Sequence, residues 1–276
     1  QSILFSVTNK AYSIVKENSL NSSCAMQLLL LEIESSQIQQ IEQRAFKDLK
    51  LLQFLSLNNN YLRKLPLGAF STLFNLQKLY IESNSLQEIQ AHIFNGLDNL
   101  SWLSLQDNRV VEIEPNGLRG MPLLRTLLLS KNELRSLNKK LFVNTVNLVN
   151  LDVQKNSLEV IKNDTFIALS KLEILYLNFN KIFLIEADAF RGLSSLKTLN
   201  LANNYITTVE KYHFNGLITL SNLLLSTNYL TILKNSTFVN MPNLQSLDLS
   251  TNKIEIMEPL TFQGLRKLVY LYIAYN

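Results

Sequence analysis

The chain has 276 residues, 47% of them hydrophobic and 17% charged, with a formal net charge of +4. That apolar content is too high for a disordered chain, and aliphatic runs such as Leu28 to Leu31 are far too short to cross a bilayer. Lys and Arg are scattered, so no basic block marks a nucleic-acid or membrane-surface binder.

In chain order, residues 1–20 do not form a secretory signal: Lys10, Lys16 and Glu17 interrupt any apolar centre, and no small-residue cleavage site follows. Ile3, Phe5 and Val7 alternate with polar residues, which predicts a capping strand or hairpin. Cys24 is the only cysteine, which excludes an internal disulfide and a cysteine-based metal cluster. Two readings of Cys24 stay open: a buried thiol, or a partner for another chain or a missing segment.

From residue 28 the sequence repeats. Asn60, Asn84, Asn108, Asn132, Asn156, Asn180, Asn204, Asn228, Asn252 and Asn276 fall on one unbroken 24-residue phase, and Ser36 occupies the step before them. Leucines stand eight and five residues before each asparagine, from Leu52 and Leu55 to Leu268 and Leu271. Three before comes an aliphatic such as Leu57, Ile81 or Val153. Ten after comes Phe70, Phe94, Phe142, Phe166, Phe190, Phe214, Phe238 or Phe262, with Leu118 as the lone substitute. Gly96, Gly120, Gly192, Gly216 and Gly264 share a further phase, where a return turn would need a positive φ.

A fixed period of this kind is the mark of a stacked repeat. Strand side chains alternate between faces, so Leu79 and Ile81 should point inward while Lys78, Tyr80 and Glu82 point out. The asparagine amide both donates and accepts, and a column of them can satisfy backbone groups that water does not reach. The phenylalanine fills the wider outer side. Stacking joins the apolar edges into one core stabilised by nearest neighbours.

These residues resemble the leucine-rich-repeat family, L-x-x-L-x-L-x-x-N-x-L in its 24-residue form. The resemblance implies an α/β-type solenoid, a horseshoe with a parallel concave sheet and a largely irregular convex side. Residues 1–27 would be an N-terminal cap segment, and residues 28–276 about ten and a half repeats. Because Asn276 sits on the ladder phase with no cysteine-rich cap after it, the chain is expected to be truncated at its C-terminus, with any membrane anchor in a missing segment. This repeat length is similar to that of extracellular members. Among them the chain resembles Toll-like receptor ectodomains and the secreted leucine-rich-repeat immune proteins of insects. Four N-x-S/T sequons, at Asn21, Asn99, Asn163 and Asn235, point the same way.

On such a scaffold the outward strand positions are where specificity is written. Phe54, Tyr80, Trp102 and Leu128 form one candidate ligand-binding cluster, and Ile174, Tyr176 and Phe179 a second. Arg125, Lys131, Asp152 and Lys155 form a polar zone between them, and Tyr270, Tyr272 and Tyr275 a further tyrosine group. Exposed aromatics are over-represented among interface hot spots, although such side chains also lie flat and simply cover a sheet.

Nothing assembles an active site. His92 and His213 are expected to be solvated loop residues, Asp107, Asp152 and Asp248 sit on the strand face without clear pairing, and no hydrolase or phosphate-loop motif occurs. The expected function is therefore recognition without catalysis, cofactor or metal. It is an extracellular module that binds a protein or microbial macromolecule through its concave or lateral face, in innate immunity. Homo- or hetero-dimerisation is allowed, and nucleic acid is not expected. Two alternatives remain: a cell-surface adhesion or guidance protein, and a cytosolic adaptor.

Overall fold

The structure, a computed structural model, describes residues 3–8, 13–17, 20 and 25–276. Asn21 and Cys24 lie outside the described residues. The chain divides into two compact units, residues 1–133 with 140–148, and residues 134–139 with 149–276.

The first unit stacks strands Ile3–Thr8, Leu28–Glu34, Phe54–Ser56, Lys78–Tyr80, Trp102–Ser104 and Thr126–Leu128, each parallel to the next. Ile3–Thr8 is thus a strand and not half of a hairpin: it runs parallel to the first repeat strand, with Phe5 opposite Leu31 and Val7 opposite Ile33. The second unit stacks Asn150–Asp152, Ile174–Tyr176, Thr198–Asn200, Asn222–Leu224, Ser246–Asp248 and Tyr270–Tyr272 in the same manner. Register is a strict 24-residue step: Leu55 faces Leu79, Leu79 faces Leu103, and Leu199 faces Leu223. The outer segments carry no α-helix among the described residues. They contain short 3-10 turns such as Lys211–Phe214 and two-residue strands such as Glu88–Ile89. The arrangement is a parallel-strand solenoid with an irregular outer side.

The inward leucines Leu79, Leu103, Leu127, Leu175, Leu199 and Leu223 are buried, as are Phe94, Phe190 and Phe214 ten residues past the ladder. Successive phenylalanines stack, with Phe70–Phe94 centroids 6.2 Å apart and Phe166–Phe190 centroids 6.1 Å apart.

The asparagine column forms as its chemistry requires. Asn108 Oδ1 accepts from Leu86 N at 3.0 Å, while its Nδ2 donates to Ile81 O at 2.8 Å and Leu105 O at 3.1 Å. Asn204 repeats the pattern in the second unit, accepting from Ile182 N and donating to Leu177 O and Leu201 O. Where Ser36 replaces the amide, its hydroxyl donates to Glu34 O at 2.8 Å and Asn60 reaches back to complete the turn.

Two backbone features surround this column. Gly120 has φ +99°, and a Cβ there would stand 2.5 Å from Phe94 O, so the expected positive φ is real and the close approach forbids a side chain. The residue just before each ladder asparagine is also left-handed without being glycine: Asn59, Ser83, Asp107, Lys131, Lys155, Phe179, Asn203, Thr227, Thr251 and Tyr275 all have φ between 52° and 61°. Asn and Asp tolerate that region, while bulky or β-branched residues are strained there. Asp107 therefore belongs to this turn and not to the strand face, where it accepts from Ser83 Oγ at 2.8 Å.

A second amide series runs beside the first. Asn75, Asn99, Asn147 and Asn243, fifteen residues past the ladder, donate through Nδ2 to Lys50 O, Phe74 O, Pro122 O and Ile218 O.

Candidate functional site

The strand faces differ between the units because the outward residues differ. In the first unit Phe54 and Tyr80 rings lie 5.2 Å apart, and Tyr80 and Trp102 rings 6.4 Å apart. Strand register explains the zigzag. Phe54 pairs with Lys78 and Ser56 with Tyr80, then Lys78 pairs with Trp102 and Tyr80 with Ser104. Large side chains thus alternate diagonally with small ones, a spacing within reach of aromatics. Leu128 continues the series opposite Ser104 and is half-buried, like Phe54, Tyr80 and Trp102.

The small outward residues between them are covered: Ser56, Ser104 and Thr126 are buried although they point away from the leucine core. The aromatics therefore do part of the covering expected of side chains lying flat. They also remain accessible, and Trp102 Nε1 is buried without a hydrogen-bond partner. An indole N–H left unpaired costs about 1–3 kcal/mol, a local sacrifice of the kind found at functional positions. Burial raises the Tyr80 phenol above its ordinary range, with the Glu82 carboxylate adding to the effect.

The second cluster does not form as one strand-face patch. Ile174 and Tyr176 are half-buried neighbours on one strand, whereas Phe179 sits in the left-handed turn beyond it, exposed, with Lys155 Nζ 5.5 Å from its ring centroid. The polar zone also changes character. Arg125, Lys131 and Lys155 are exposed, but Asp152 is only 8% exposed, and burial raises its carboxyl above the usual range.

His213 is buried, contrary to the solvated-loop expectation. Its Nδ1 accepts from Glu210 N at 3.0 Å, its ring meets Tyr212 edge-on at 4.6 Å, and burial holds its pKa down. The repeat phase held the signal: His213 is in register with buried Ala45, Ala69 and Ala189. His92 lies one position earlier, half-buried in a left-handed turn with φ 64°.

Among the sequons, Asn163 and Asn235 are exposed just beyond the outer strands Val160–Ile161 and Ile232–Leu233. Their backbone N–H groups donate to Glu186 and Glu258, which fixes both loops alike. Asn99 is exposed, but its Nδ2 is already donated to Phe74 O. Among the described residues no cluster of three or more His, Cys, Asp or Glu is placed to hold a metal, and no helix is long and apolar enough to cross a membrane.

A leucine-rich-repeat profile matches residues 27–86, 74–134, 122–182, 170–230 and 218–276. The chain belongs to the leucine-rich-repeat family. No curated protein matches the sequence. Several solved structures share the fold. FLRT2, solved in an octameric complex with Latrophilin 3 and Unc5D, is 25% identical at a TM-score of 0.77, over 95% of this chain and 81% of that one. Drosophila Toll, solved with Spatzle, is 23% identical at a TM-score of 0.73, over 91% of this chain and 37% of Toll. TLR13, solved with ssRNA13, is 20% identical at a TM-score of 0.58, over 98% of this chain and 62% of TLR13. This leucine-rich-repeat chain thus spans less than two thirds of the last two relatives. Its fold is the leucine-rich-repeat solenoid that these proteins share.

Proposed function

We propose that the chain is the ligand-recognition part of an extracellular protein, binding a protein or microbial macromolecule through the Phe54–Tyr80–Trp102 run and using no catalysis. The observation that carries this reading is the continuous aromatic contact ending at an unpaired Trp102 N–H. Folding does not require that indole to be where no acceptor meets it, whereas a ligand packed on three rigid rings gains area at little entropic cost. Leu128 extends this surface, and Ile174 and Tyr176 add a separate one.

The extracellular setting is supported by the exposure of Asn163 and Asn235 on equivalent outer loops. A glycan on either leaves the strand face open. Asn99 is a poorer acceptor because its amide is engaged. Innate immune sensing, as in the Toll-type relatives, is the first reading. Cell-surface assembly through homo- or hetero-dimers is the second, favoured by the greater TM-score and fuller coverage of FLRT2. A protein is the preferred ligand over RNA, because the outward residues of the first cluster are aromatic and aliphatic, with Lys78 the one cation among them.

The test is capture. Purified chain is immobilised and bound proteins from an extracellular extract are identified. Trp102→Ala and Tyr80→Ala are then compared with Leu123→Ala, an exposed outer position. Each strand-face substitution should weaken capture of the same partner by more than about 1 kcal/mol, with Leu123→Ala unchanged. Equal capture by all three variants rejects the site. Dimerisation of the purified chain at micromolar concentration selects the second reading.

A further inference from the structure

One buried acid in the second unit has no cation. Asp152 Oδ1 accepts from Gln154 N and Oδ2 from Gln154 Nε2, both at 2.9 Å. Gln154 Oε1 in turn accepts from Asn178 Nδ2 at 3.1 Å. The chain of amides stops there: Asn178 Oδ1 is buried and meets no donor, although the residue is only 7% exposed. Among the described residues no Lys or Arg pairs with Asp152. Lys155, three positions along, lies over the Phe179 ring instead.

The surroundings are selective. Asp152 pairs in register with Tyr176, and Ile174 stands at the other outward position of the same strand, both half-buried. Asp248, three strands beyond Tyr176 in the same row, also accepts two bonds from one residue, from Ser250 N and Ser250 Oγ, but it is less buried. Asp152 accepts as many from Gln154 but is buried, and the glutamine beside it leans on an amide whose oxygen is left open.

We propose that Asp152 and Asn178 form a receptor for a basic side chain, lysine or arginine, presented by the protein ligand. The reading rests on the recognition function above and names the chemistry of that ligand at a second point. An ammonium or guanidinium supplies the missing positive charge and the missing donor for Asn178 Oδ1. Its aliphatic stem packs on Ile174, and Tyr176 offers a ring face. Guanidinium has the better geometry, since its planar fork reaches two acceptors at once. A divalent metal fits less well. It would take several oxygens at short range, and here there is one carboxylate, with both oxygens already accepting N–H groups. Burial also holds the Asp152 carboxyl up in the free protein, which a bound cation would reverse.

The experiment uses the whole chain, isotope-labelled, titrated with N-acetyl-arginine amide, N-acetyl-lysine amide and the neutral citrulline counterpart while the Asn178 side-chain amide signals are followed by NMR. The basic probes should shift those signals saturably, with dissociation constants near 1–10 mM, the range of a single weak contact, and the citrulline probe should not. Asp152→Asn should weaken arginine binding at least tenfold by the same signals, and Asn178→Ala severalfold as followed at the neighbouring Gln154 side-chain amide, while signals from the ladder asparagines stay in place. Equal shifts with citrulline, unchanged affinity in either variant, or the same saturable shifts with calcium chloride alone each overturn the proposal. The probe is one amino-acid derivative, so its failure leaves capture through Trp102 and Tyr80 standing, and loss of that capture leaves the Asp152–Asn178 proposal standing.

Discussion

The two units have the same interior and different faces. Asn108 and Asn204 make equivalent hydrogen bonds, and Phe94 and Phe190 are equally buried. Outside, the first unit presents three aromatic rings in contact over buried serines, while the second presents a tyrosine and an isoleucine beside a carboxylate without a cation. A repeat scaffold therefore separates two problems. Positions that face the neighbouring coil are constrained alike in every copy, and positions that face out are free to differ.

The largest test of the shared interior is truncation of the stacked rings. Phe94→Ala and Phe190→Ala should each lower unfolding free energy by about 3–5 kcal/mol, the usual cost of a buried aromatic lost to a cavity. Urea denaturation of the two variants should give similar losses. A loss at one position several times that at the other would break the equivalence of the two interiors.

A smaller effect, with opposite sign, is expected at the second unit's face. Asp152 is raised above its ordinary pKa by burial, so its ionised form is less favoured in the folded chain than in the unfolded one. Stability linked to this group is fully present below the unfolded pKa of an aspartate and is lost as pH rises through the higher folded value. Asp152→Asn removes that loss. An amide at this position has no charge for burial to penalise. The variant should be more stable than the parent at neutral pH, by about 1 kcal/mol, with the gain shrinking as pH falls through the carboxylate range. Thermal melts at several pH values measure this, and a variant less stable at neutral pH would show that the carboxylate already has what it needs.

The smallest effect concerns the left-handed turns. Thr227 has φ 55° with a β-branched side chain. Thr227→Asn, which places there the residue found at Asn59 and Asn203, should gain a few tenths of a kcal/mol up to about 1 kcal/mol. The melting temperature should rise slightly, and a fall would mean that the threonine makes a contact outweighing its strain.

Much of this was legible before any coordinates. The 24-residue phase fixed which leucines are inside, which asparagines form the column and where glycine must turn the chain. The same phase marks His213 for burial, since its equivalents include the buried Ala45, Ala69, Ile93, Leu141 and Ala189, yet histidine as a residue type suggests solvent. The turn before each ladder asparagine gave a weaker signal. Asn59, Asp107 and Asn203 suit a left-handed backbone, but Lys131, Phe179 and Thr251 do not announce one. Phe179 was accordingly expected on the strand face and stands in the turn instead. The second amide series at Asn75, Asn99, Asn147 and Asn243 gives a weaker signal because it is interrupted, with Leu123, Lys171, Ser195 and Thr219 in the missing places.

What the sequence determined by itself is the period, and through it every contact that repeats: a residue type recurring at fixed spacing meets its own kind in the next coil. What only the tertiary structure decided is the state of the outward side chains. Whether Ser104 is wet, whether Trp102 finds an acceptor and whether Asp152 is solvated depend on diagonal neighbours 22 to 26 residues away, which differ at each step. Periodicity carries no information about residues that do not repeat, and these are the residues on which recognition rests.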